Sequence, residues 1–510
     1  MNPATLILAA VFLPLAACPL IALAGSRPNL REAVTLTAGV LTFGAVLQLL
    51  PLVSAGERPG ASLMQVLPGI DLAFEVEPLG MLFAMVASGL WIVTSCYSIG
   101  YMRGHHETSQ TRFFLFFAVA VGAALAVAFA RNLFTLFLAY EVLTFSTYPL
   151  VTHARTPAAR RGGRLYLGIL LGTSFFFLLP ALLWTWHLTG TLEFAEGGIL
   201  EGSSGAAVAG LLLLYAFGTG KAALIPFHGW LPAAMVAPAP VSALLHAVAV
   251  VKAGVFTVLK VILYVFGLDL LRETSAGVWL MYAAGATVLI ASLVAMTKDN
   301  LKARLAYSTV SQLSYIILGG ALASSWGIVG GGMHIAMHAF GKITLFFCAG
   351  AIDVALHKTE ISDMRGIGRQ MPVTMSCFLV GALSVIGLPP LGGAWSKWYL
   401  ALGAVDAGQL LFLAVLMVST LLNIAYLMPI PIRAFFPRGE PAPARGAPSG
   451  AGAASSGAEA ATSSGADSSG GIREAPAFML APICFTALGC LVLFFCAGGL
   501  YRLLLPLAGR

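Results

Sequence analysis

The sequence predicts an all-α membrane protein that crosses the bilayer about fourteen times. Of its 510 residues, 59% are hydrophobic and only 10% are charged, whereas a soluble globular chain carries about 25% charged residues. Apolar runs of spanning length recur along nearly the whole chain, and the basic residues fall mainly in every second loop between them. This composition excludes an ordinary soluble enzyme, a disordered chain and a nucleic-acid-binding protein with a charged face.

The predicted spans, numbered here in chain order, follow the apolar runs, since a span needs about 20 mostly apolar residues. We expect the first span to remain uncleaved, because the residues before it lack the basic side chains of a signal peptide. The predicted spans cover residues 5–24, 32–54, 79–100, 113–130, 132–152, 165–190, 206–233, 242–266, 277–297, 305–323, 326–352, 373–402, 410–436 and 475–506.

The loop charges predict the orientation of the chain, because short cytoplasmic loops collect lysine and arginine. The odd-numbered loops hold most of the basic residues, whereas the second and sixth loops are acidic. Arg58, Arg131 and Arg272, one each in three even-numbered loops, are the exceptions. We therefore expect a multi-pass protein of a prokaryotic-type inner (plasma) membrane, with both termini outside and the odd-numbered loops in the cytoplasm.

The spans group into domains. Residues 1–112 hold three N-terminal helices, 113–266 a first five-helix repeat and 277–436 a second, and an odd number of helices inverts the second repeat relative to the first. Residues 437–475 are mostly Ala, Gly, Ser and Pro, a composition that buries too little surface to offset its ordering entropy. We predict a flexible cytoplasmic linker there, with a partner-binding segment as the alternative, and a last helix over 476–510.

Prolines are expected to break two spans. Pro226 follows Lys221 by five residues, and Pro389 and Pro390 precede Lys397. A membrane tolerates such a break only where protein or water satisfies the freed backbone groups. Because the interruptions fall in matching places of the two halves, the seventh and twelfth helices are predicted to be discontinuous around a pathway at the midplane.

Ionisable side chains inside spans are functional candidates, because each is costly in a bilayer unless it is paired or hydrated. We predict that Glu141 and Lys221 form a pair whose opening changes the proton affinity of both groups, with a purely structural pair as the alternative. The predicted proton-translocation residues are Glu141, Lys221, Lys252, His334, His338, Lys342 and Lys397.

His334, His338 and Lys342 stand four residues apart, on one face of the eleventh span. Two such histidines can bind zinc, but no carboxylate or thiolate stands near them in the sequence to complete a site. A hydrated proton relay is therefore predicted, and no metal. The seven cysteines form no CxxC pair, so no iron–sulfur cluster or other cofactor is predicted.

Six further residues are candidates for lining the pathway. For two of them an alternative stays open: His246 as the cap of a polar pocket, and Lys260 as a side chain that extends to the membrane interface. The six are His228, His246, Lys260, Ser308, Thr309 and Gln312.

Several stretches resemble the antiporter-like subunits shared by respiratory complex I, membrane-bound hydrogenases and Mrp-type Na+/H+ antiporters. They are AYEVLTFSTYPLV, GKAALIPFHGWLPAAMVAPAPVSALLHAVAVVKAGVF, NLKARLAYSTVSQLSY, HIAMHAFGKITLFFCAGAI and GLPPLGGAWSKWYL, within about residues 75–430. The resemblance implies two inverted five-helix bundles with discontinuous seventh and twelfth helices. It also implies proton-transfer roles for the fifth-helix glutamate and for the lysines and histidines of the seventh, eighth, eleventh and twelfth helices, all of which this chain carries.

The function expected from this resemblance is proton translocation. Coupled Na+ exchange is expected for the Mrp type, whose D-type subunit is the best match. The expected partners are other membrane subunits of a multi-subunit complex and the lipid bilayer, not nucleic acid. The first alternative is a proton-pumping membrane subunit of a complex I-like NADH:quinone oxidoreductase or of a hydrogenase. The second, from another class, is a structural membrane scaffold that transports nothing.

Overall fold

The structure is a computed structural model that describes residues 2–436 and 471–508, without the side chains of residues 246 and 247. Most of the described chain is α-helical, and many of the helices are long and apolar enough to cross a membrane. The predicted all-α membrane architecture is therefore confirmed.

The first six spans are continuous helices apart from one π-helical turn in the sixth. Several of them begin at a proline, whose missing N–H is not needed in the first turn of a helix. Between the second and third spans lies an antiparallel hairpin with strands β1 (Gly60–Leu67) and β2 (Ile70–Glu75). The six helices are Pro3–Leu23, Pro28–Ser54, Pro78–Gly104, Gln110–Ala128, Leu133–Val151 and Pro157–Thr189.

The seventh span is broken, as predicted. Its first helix, Gly205–Gly218, ends in the short 3-10 turn Gly220–Ala222, and helix resumes only at Trp230–Ala233, so that Pro226 lies in the gap. The eighth span is interrupted by π-helical turns and consists of Ala239–Ala243, Leu244–Val248, Val250–Val261 and Ile262–Phe266.

The twelfth span repeats this break. Pro372–Ile386 and Gly393–Asp406 are separate helices with Pro389 and Pro390 between them. The other helices of the second half are Val278–Thr297, Leu301–Ala321, Ser325–Leu356, Leu410–Phe435, Ala477–Phe495 and Ala497–Leu504.

The predicted number of fourteen spans is not confirmed. Within the described ranges, ten helices are long and apolar enough to span, or eleven if Val250–Phe266 and the bent Leu268–Thr274 count as one. The shortfall has physical causes: two spans are split by their breaks, and side chains such as Ser308 and Gln312 make the tenth span more polar than an ordinary membrane helix.

Loops of the same parity contact each other. On one face, His105 of the third loop lies 3.6 Å from the Asp353 carboxylate beside the eleventh loop. On the other, Asn132 of the fourth loop donates a hydrogen bond of 3.1 Å to Glu193 of the sixth. This is the pairing expected if the chain crosses the membrane at each predicted span, broken ones included. That the odd-numbered loops are cytoplasmic stays a prediction from loop charge.

Of the predicted linker, residues 471–475 belong to the described part of the chain, whereas residues 437–470 lie outside it. Glu474, inside the predicted linker, accepts hydrogen bonds from the backbone N–H groups of Val373 (2.6 Å) and Thr374 (3.2 Å). It thereby caps the N-terminus of the twelfth span, where the first N–H groups of a helix have no partner within the helix.

Candidate functional site

Lys221 lies in the break of the seventh span and is completely buried. Its ammonium group donates hydrogen bonds to the carbonyl oxygen of Tyr140 (2.9 Å) and to the Thr144 hydroxyl. The ammonium nitrogen also stands 3.1 Å from the centroid of the Tyr140 ring, where the negative face of the ring attracts a cation. The fifth span therefore holds this charge without a carboxylate in contact.

Glu141 does not contact Lys221, which corrects the predicted direct pair. Both carboxylate oxygens of Glu141 are buried and have no hydrogen-bond partner among the described residues, and no ion pair joins Glu141 to Lys221. The geometry of an α-helix explains this, because Tyr140 and Thr144 share the face toward Lys221 while position 141 is turned by about 100° from position 140. Glu141 can act on Lys221 only through space.

The backbone groups freed by the break in the seventh span find partners. The N–H of Lys221 donates to the Tyr140 hydroxyl (3.0 Å), and the indole N–H of Trp230 donates to the carbonyl oxygen of Gly220 (3.0 Å). Gly254 of the eighth span lies so close that a Cβ there would stand 2.4 Å from the carbonyl carbon of Lys221. The break is thus a packed part of the structure.

The eighth and eleventh spans meet at two basic side chains. The ammonium nitrogen of Lys252 lies 2.6 Å from Nδ1 of His338, a distance at which the two groups share one proton. The rings of His338 and His334 stack with centroids 5.6 Å apart. The structure therefore brings together three of the predicted translocation residues in one buried row.

His334 extends this row to the twelfth span. Its Nδ1 lies 2.9 Å from the Ser396 hydroxyl, and its Nε2 lies 3.2 Å from the side-chain oxygen of Gln312. Ser396 immediately precedes Lys397 in the sequence. The Tyr315 ring lies between the two basic residues, with its centroid 5.7 Å from the His334 ring and 5.0 Å from the Lys397 ammonium.

Lys397 stands beside the second break. Its ammonium group donates to the carbonyl oxygen of Ile386 (2.9 Å), in the last residue of the preceding helix. Lys397 also lines a cavity of about 540 Å³, together with Pro389, Trp398 and Met417. This lysine is only partly buried, unlike Lys221.

Lys342 contacts neither His334 nor Lys397 within the described structure. Its ammonium group donates to the Ser308 hydroxyl (2.6 Å) and to the Leu305 carbonyl (3.3 Å). Eight residues separate Lys342 from His334 on one helix, a rise of about 12 Å. Lys342 and Ser308 form a polar branch beside the row, and the Tyr426 hydroxyl, which donates to Ser308 (2.9 Å), belongs to that branch.

The remaining candidates differ in their surroundings. Gln312 contacts His334 of the row and Ser308 contacts Lys342, whereas the Thr309 hydroxyl donates to the Leu305 carbonyl of its own helix (2.9 Å). His228 is half-buried in the seventh-span break, 6.2 Å from the Tyr307 ring between centroids. The side chain of His246 lies outside what the structure describes.

Lys260 is buried and lies outside the row. It is 1% exposed and forms an ion pair of 3.4 Å with Glu77. The alternative of a lysine that extends to the interface is therefore wrong.

Sequence reasoning missed Tyr140, Thr144, Tyr315 and Ser396, which contact the predicted charges. A signal was present, because Tyr140 and Tyr315 occupy corresponding helices of the two repeats and each faces the lysine beside a break. A buried tyrosine is most often a core residue, so the sequence alone gave no reason to single out these two.

Two family models match the chain. The model described as NADH:quinone oxidoreductase/Mrp antiporter, TM, covers residues 130–423, and the one described as NADH-Ubiquinone oxidoreductase (complex I), chain 5 N-terminus, covers residues 68–114. The first includes all of the translocation candidates described above.

Curated relatives include components of two kinds of redox complex. The chain is 32% identical to NADH-quinone oxidoreductase subunit N of Desulforudis audaxviator, over 83% of this chain and 82% of that protein. It is also 32% identical to Hydrogenase-4 component B of Escherichia coli, over 64% of this chain. The chain spans 50% of the length of that second relative, and about half the length of several others.

Two solved complexes contain a chain with the same fold. A chain of the Mrp complex from Dietzia sp. superposes with a TM-score of 0.84 at 24% identity, covering 99% of this chain and 97% of that one. A chain of the membrane-bound sulfane sulfur reductase, described as an archaeal respiratory membrane complex, superposes with a TM-score of 0.82 at 21% identity, covering 100% and 97%.

Proposed function

Because this chain belongs to the NADH:quinone oxidoreductase/Mrp antiporter family of membrane proteins, we propose that it translocates protons along its buried row of lysine and histidine side chains. The observation that carries the proposal is the 2.6 Å contact between Lys252 and His338. One of these groups must be unprotonated toward the other, so a proton can lie on either side of the contact. Histidine suits such a relay because its charge changes near neutral pH.

The contacts along the row define the proposed order of proton transfer. From His338 the next acceptor is His334, whose stacked ring requires a water molecule or a ring rotation to receive the proton. From His334 the Ser396 hydroxyl leads to Lys397, which opens on the cavity beside the second break. We infer that Lys397 is the exit-side group.

Lys221 is the proposed loading group at the other end. Its carbonyl, hydroxyl and aromatic partners favour the ammonium form, and Glu141 adds a negative charge through space. Movement of the ammonium away from Tyr140 and Thr144 removes this stabilisation and favours release of the proton toward Lys252. Lys252 belongs to the eighth span, which packs against the backbone of Lys221.

For the assembly, we propose a D-type subunit of an Mrp-type cation/proton antiporter, with Na+ as the exchanged ion. The motifs and the fold likeness to a chain of the Mrp complex support this assignment. The second candidate is a proton-pumping membrane subunit of a quinone oxidoreductase or hydrogenase complex, which the similarity to subunit N over 82% of that relative favours. In either case the partners are other membrane subunits.

Purification of the tagged chain in mild detergent, with mass spectrometry of the co-purifying proteins, separates these assemblies. Small membrane subunits and a second antiporter-like chain support the Mrp assignment. Iron–sulfur, flavin or hydrogenase subunits contradict it and support the redox-driven pump.

The non-transporting scaffold is disfavoured by the cost of buried charge. Lys221, Lys252 and Lys342 are completely buried, and a scaffold gains nothing from ammonium groups that are expensive to place in a membrane.

The direct test of translocation is Lys221→Ala in the whole complex, assayed as proton flux in inverted membrane vesicles. We expect flux to fall to the level of vesicles without the complex, while the purified complex keeps its subunit composition. Lys221→Arg is the matched control for retention of positive charge, and wild-type flux in an assembled Lys221→Ala complex contradicts the proposal.

A further inference from the structure

A second buried charge pair lies outside the proton row. Glu77 precedes the third span and Lys260 lies in the eighth, at the ends that face the even-numbered loops. Their charged groups stand 3.4 Å apart, and the two residues are 3% and 1% exposed. A buried ion pair repays its desolvation only when further hydrogen bonds satisfy both groups.

The hydrogen-bonding capacity of this pair is fully used. Each carboxylate oxygen of Glu77 has two donors, which matches the roughly four acceptor sites of a carboxylate. Oε1 of Glu77 forms the ion pair with the Lys260 ammonium (3.4 Å) and accepts from the Gly80 N–H (2.9 Å). Oε2 accepts from the Leu79 N–H (2.6 Å) and the Tyr264 hydroxyl (3.2 Å). The Lys260 ammonium also donates to the Ala130 carbonyl (2.8 Å).

Aromatic rings enclose the lysine. The Lys260 ammonium lies 5.0 Å from the centroid of the Phe194 ring and 5.4 Å from that of the Phe256 ring. These rings stabilise the cation and occupy space that water would otherwise fill. The pair thus differs from Lys252 and His338, whose contact shares one proton between two bases.

The pair separates the proton row from the even-loop face. Lys252 stands eight residues before Lys260 in one helix, about 12 Å along its axis. Beyond the pair the charged side chains become accessible: Glu75 is 28% exposed and Glu196 is 75% exposed, and Arg58 bridges them. The Lys260–Glu77 pair is therefore the last buried charged group between Lys252 and that surface along the eighth span.

We propose that Lys260 and Glu77 seal the even-loop end of the eighth span, so that a proton on Lys252 cannot leave there and must pass to His338. A proton on this route must either replace the ammonium proton of Lys260 or enter a carboxylate whose acceptor sites are all occupied, and both steps break the pair. Fixed charges bar protons in this way in selective membrane channels. The proposal rests on the proposed function, because a seal is needed only beside a proton route.

The test measures passive proton leak in inverted vesicles that hold the whole complex, after an imposed pH step and without a driving substrate or ion. The variant is Lys260→Met with Glu77→Gln, which removes both charges and leaves neither unpaired. We expect leak through the complex to rise about tenfold, which corresponds to a barrier lower by ~1.4 kcal/mol. Lys260→Arg keeps the pair and should leave the leak at the wild-type level.

A third variant tests the route. Adding Lys252→Met to the double variant should return the leak to the wild-type level, because the row then lacks the group that would pass protons to or from the even-loop end. A leak that persists in this triple variant overturns the proposal, as does an assembled double variant with wild-type leak. A double variant whose driven flux falls while its passive leak stays at the wild-type level also overturns the proposal, because the pair would then carry protons instead of blocking them.

Two controls keep the outcomes distinct. If the double variant does not assemble, Tyr264→Phe removes one of the four donors to Glu77 and should raise the leak by a smaller factor; an unchanged leak in this variant contradicts the seal. Failure of the proposed function shows itself separately, as wild-type vesicles whose driven proton flux does not depend on Lys221.

Discussion

The two halves of the molecule contain the same arrangement of lysine and tyrosine in two different environments. In each, a lysine beside a broken helix faces a tyrosine of a corresponding helix: Lys221 faces Tyr140, and Lys397 faces Tyr315. The first lysine is completely buried and held by three groups, whereas the second is partly exposed and opens on a cavity. The same arrangement can therefore retain a proton on the lysine of one half and release it from the lysine of the other.

The halves also differ in counter-charge. Glu141 follows Tyr140 in the first half, whereas the apolar Ile316 follows Tyr315 in the second. The first lysine thus lies in the field of a carboxylate, and the second relies on the Ile386 carbonyl and the tyrosine ring. Under the proposed function, this asymmetry favours proton retention at Lys221 and proton release at Lys397.

Among substitutions that leave the charged residues in place, the largest expected effect comes from displacing the breaks. A Cβ on Gly254 would stand 2.3 Å from the backbone nitrogen of Ala222, and one on Gly393 would stand 1.9 Å from the carbonyl oxygen of Ser384. Extra atoms in a packed interior cost ~1–3 kcal/mol. We expect Gly254→Ala and Gly393→Ala each to reduce proton flux in vesicles by about tenfold or more.

The control for these substitutions is Gly168→Ala in the sixth span, where a Cβ would meet nothing within 4 Å. It should leave the flux unchanged. Normal flux in both break variants would show that the close approach of each break to its neighbouring helix does not matter for transport.

A smaller effect is expected from Glu141→Gln. Because the carboxylate has no hydrogen bond to Lys221 in the described structure, its loss removes only a through-space attraction. We expect flux to fall roughly fivefold, the equivalent of ~1 kcal/mol, and to recover in Glu141→Asp. Complete loss of flux in Glu141→Gln, equal to that in Lys221→Ala, would contradict the through-space role.

The two tyrosines are distinguished by stability, since neither substitution removes a charge from the row. The Tyr140 hydroxyl accepts from the N–H of Lys221 at 3.0 Å, so Tyr140→Phe leaves a buried N–H without that partner, at a cost of ~1–3 kcal/mol. The Tyr315 hydroxyl makes a longer bond of 3.5 Å to the Leu416 carbonyl. Thermal unfolding of the purified complex should show a lower midpoint for Tyr140→Phe than for Tyr315→Phe; equal midpoints would contradict this difference.

The sequence predicted those features that depend on local chemistry. Both breaks were predicted from the positions of Pro226, Pro389 and Pro390. The shared helix face of His334 and His338 was predicted from their four-residue spacing. The predicted contact of Glu141 with Lys221 was wrong, because it depends on which face of the fifth span turns toward the break.

Contacts between distant segments could not be predicted. Glu77 and Lys260 are 183 positions apart in sequence, and only the packing of the third span on the eighth brings them together. The branch that holds Lys342 likewise depends on how the tenth span packs on the eleventh.

Under the proposed function, protons cross from the first half to the second through the contact of Lys252 with His338. The most direct measurement is proton flux in inverted vesicles that carry the assembled complex with Lys252→Met, which leaves both breaks and both flanking lysines in place. Lys302→Met is the matched control, since Lys302 donates to the Ala237 carbonyl (3.0 Å) outside the row. We predict background flux for Lys252→Met and wild-type flux for Lys302→Met; wild-type flux in both would contradict the account.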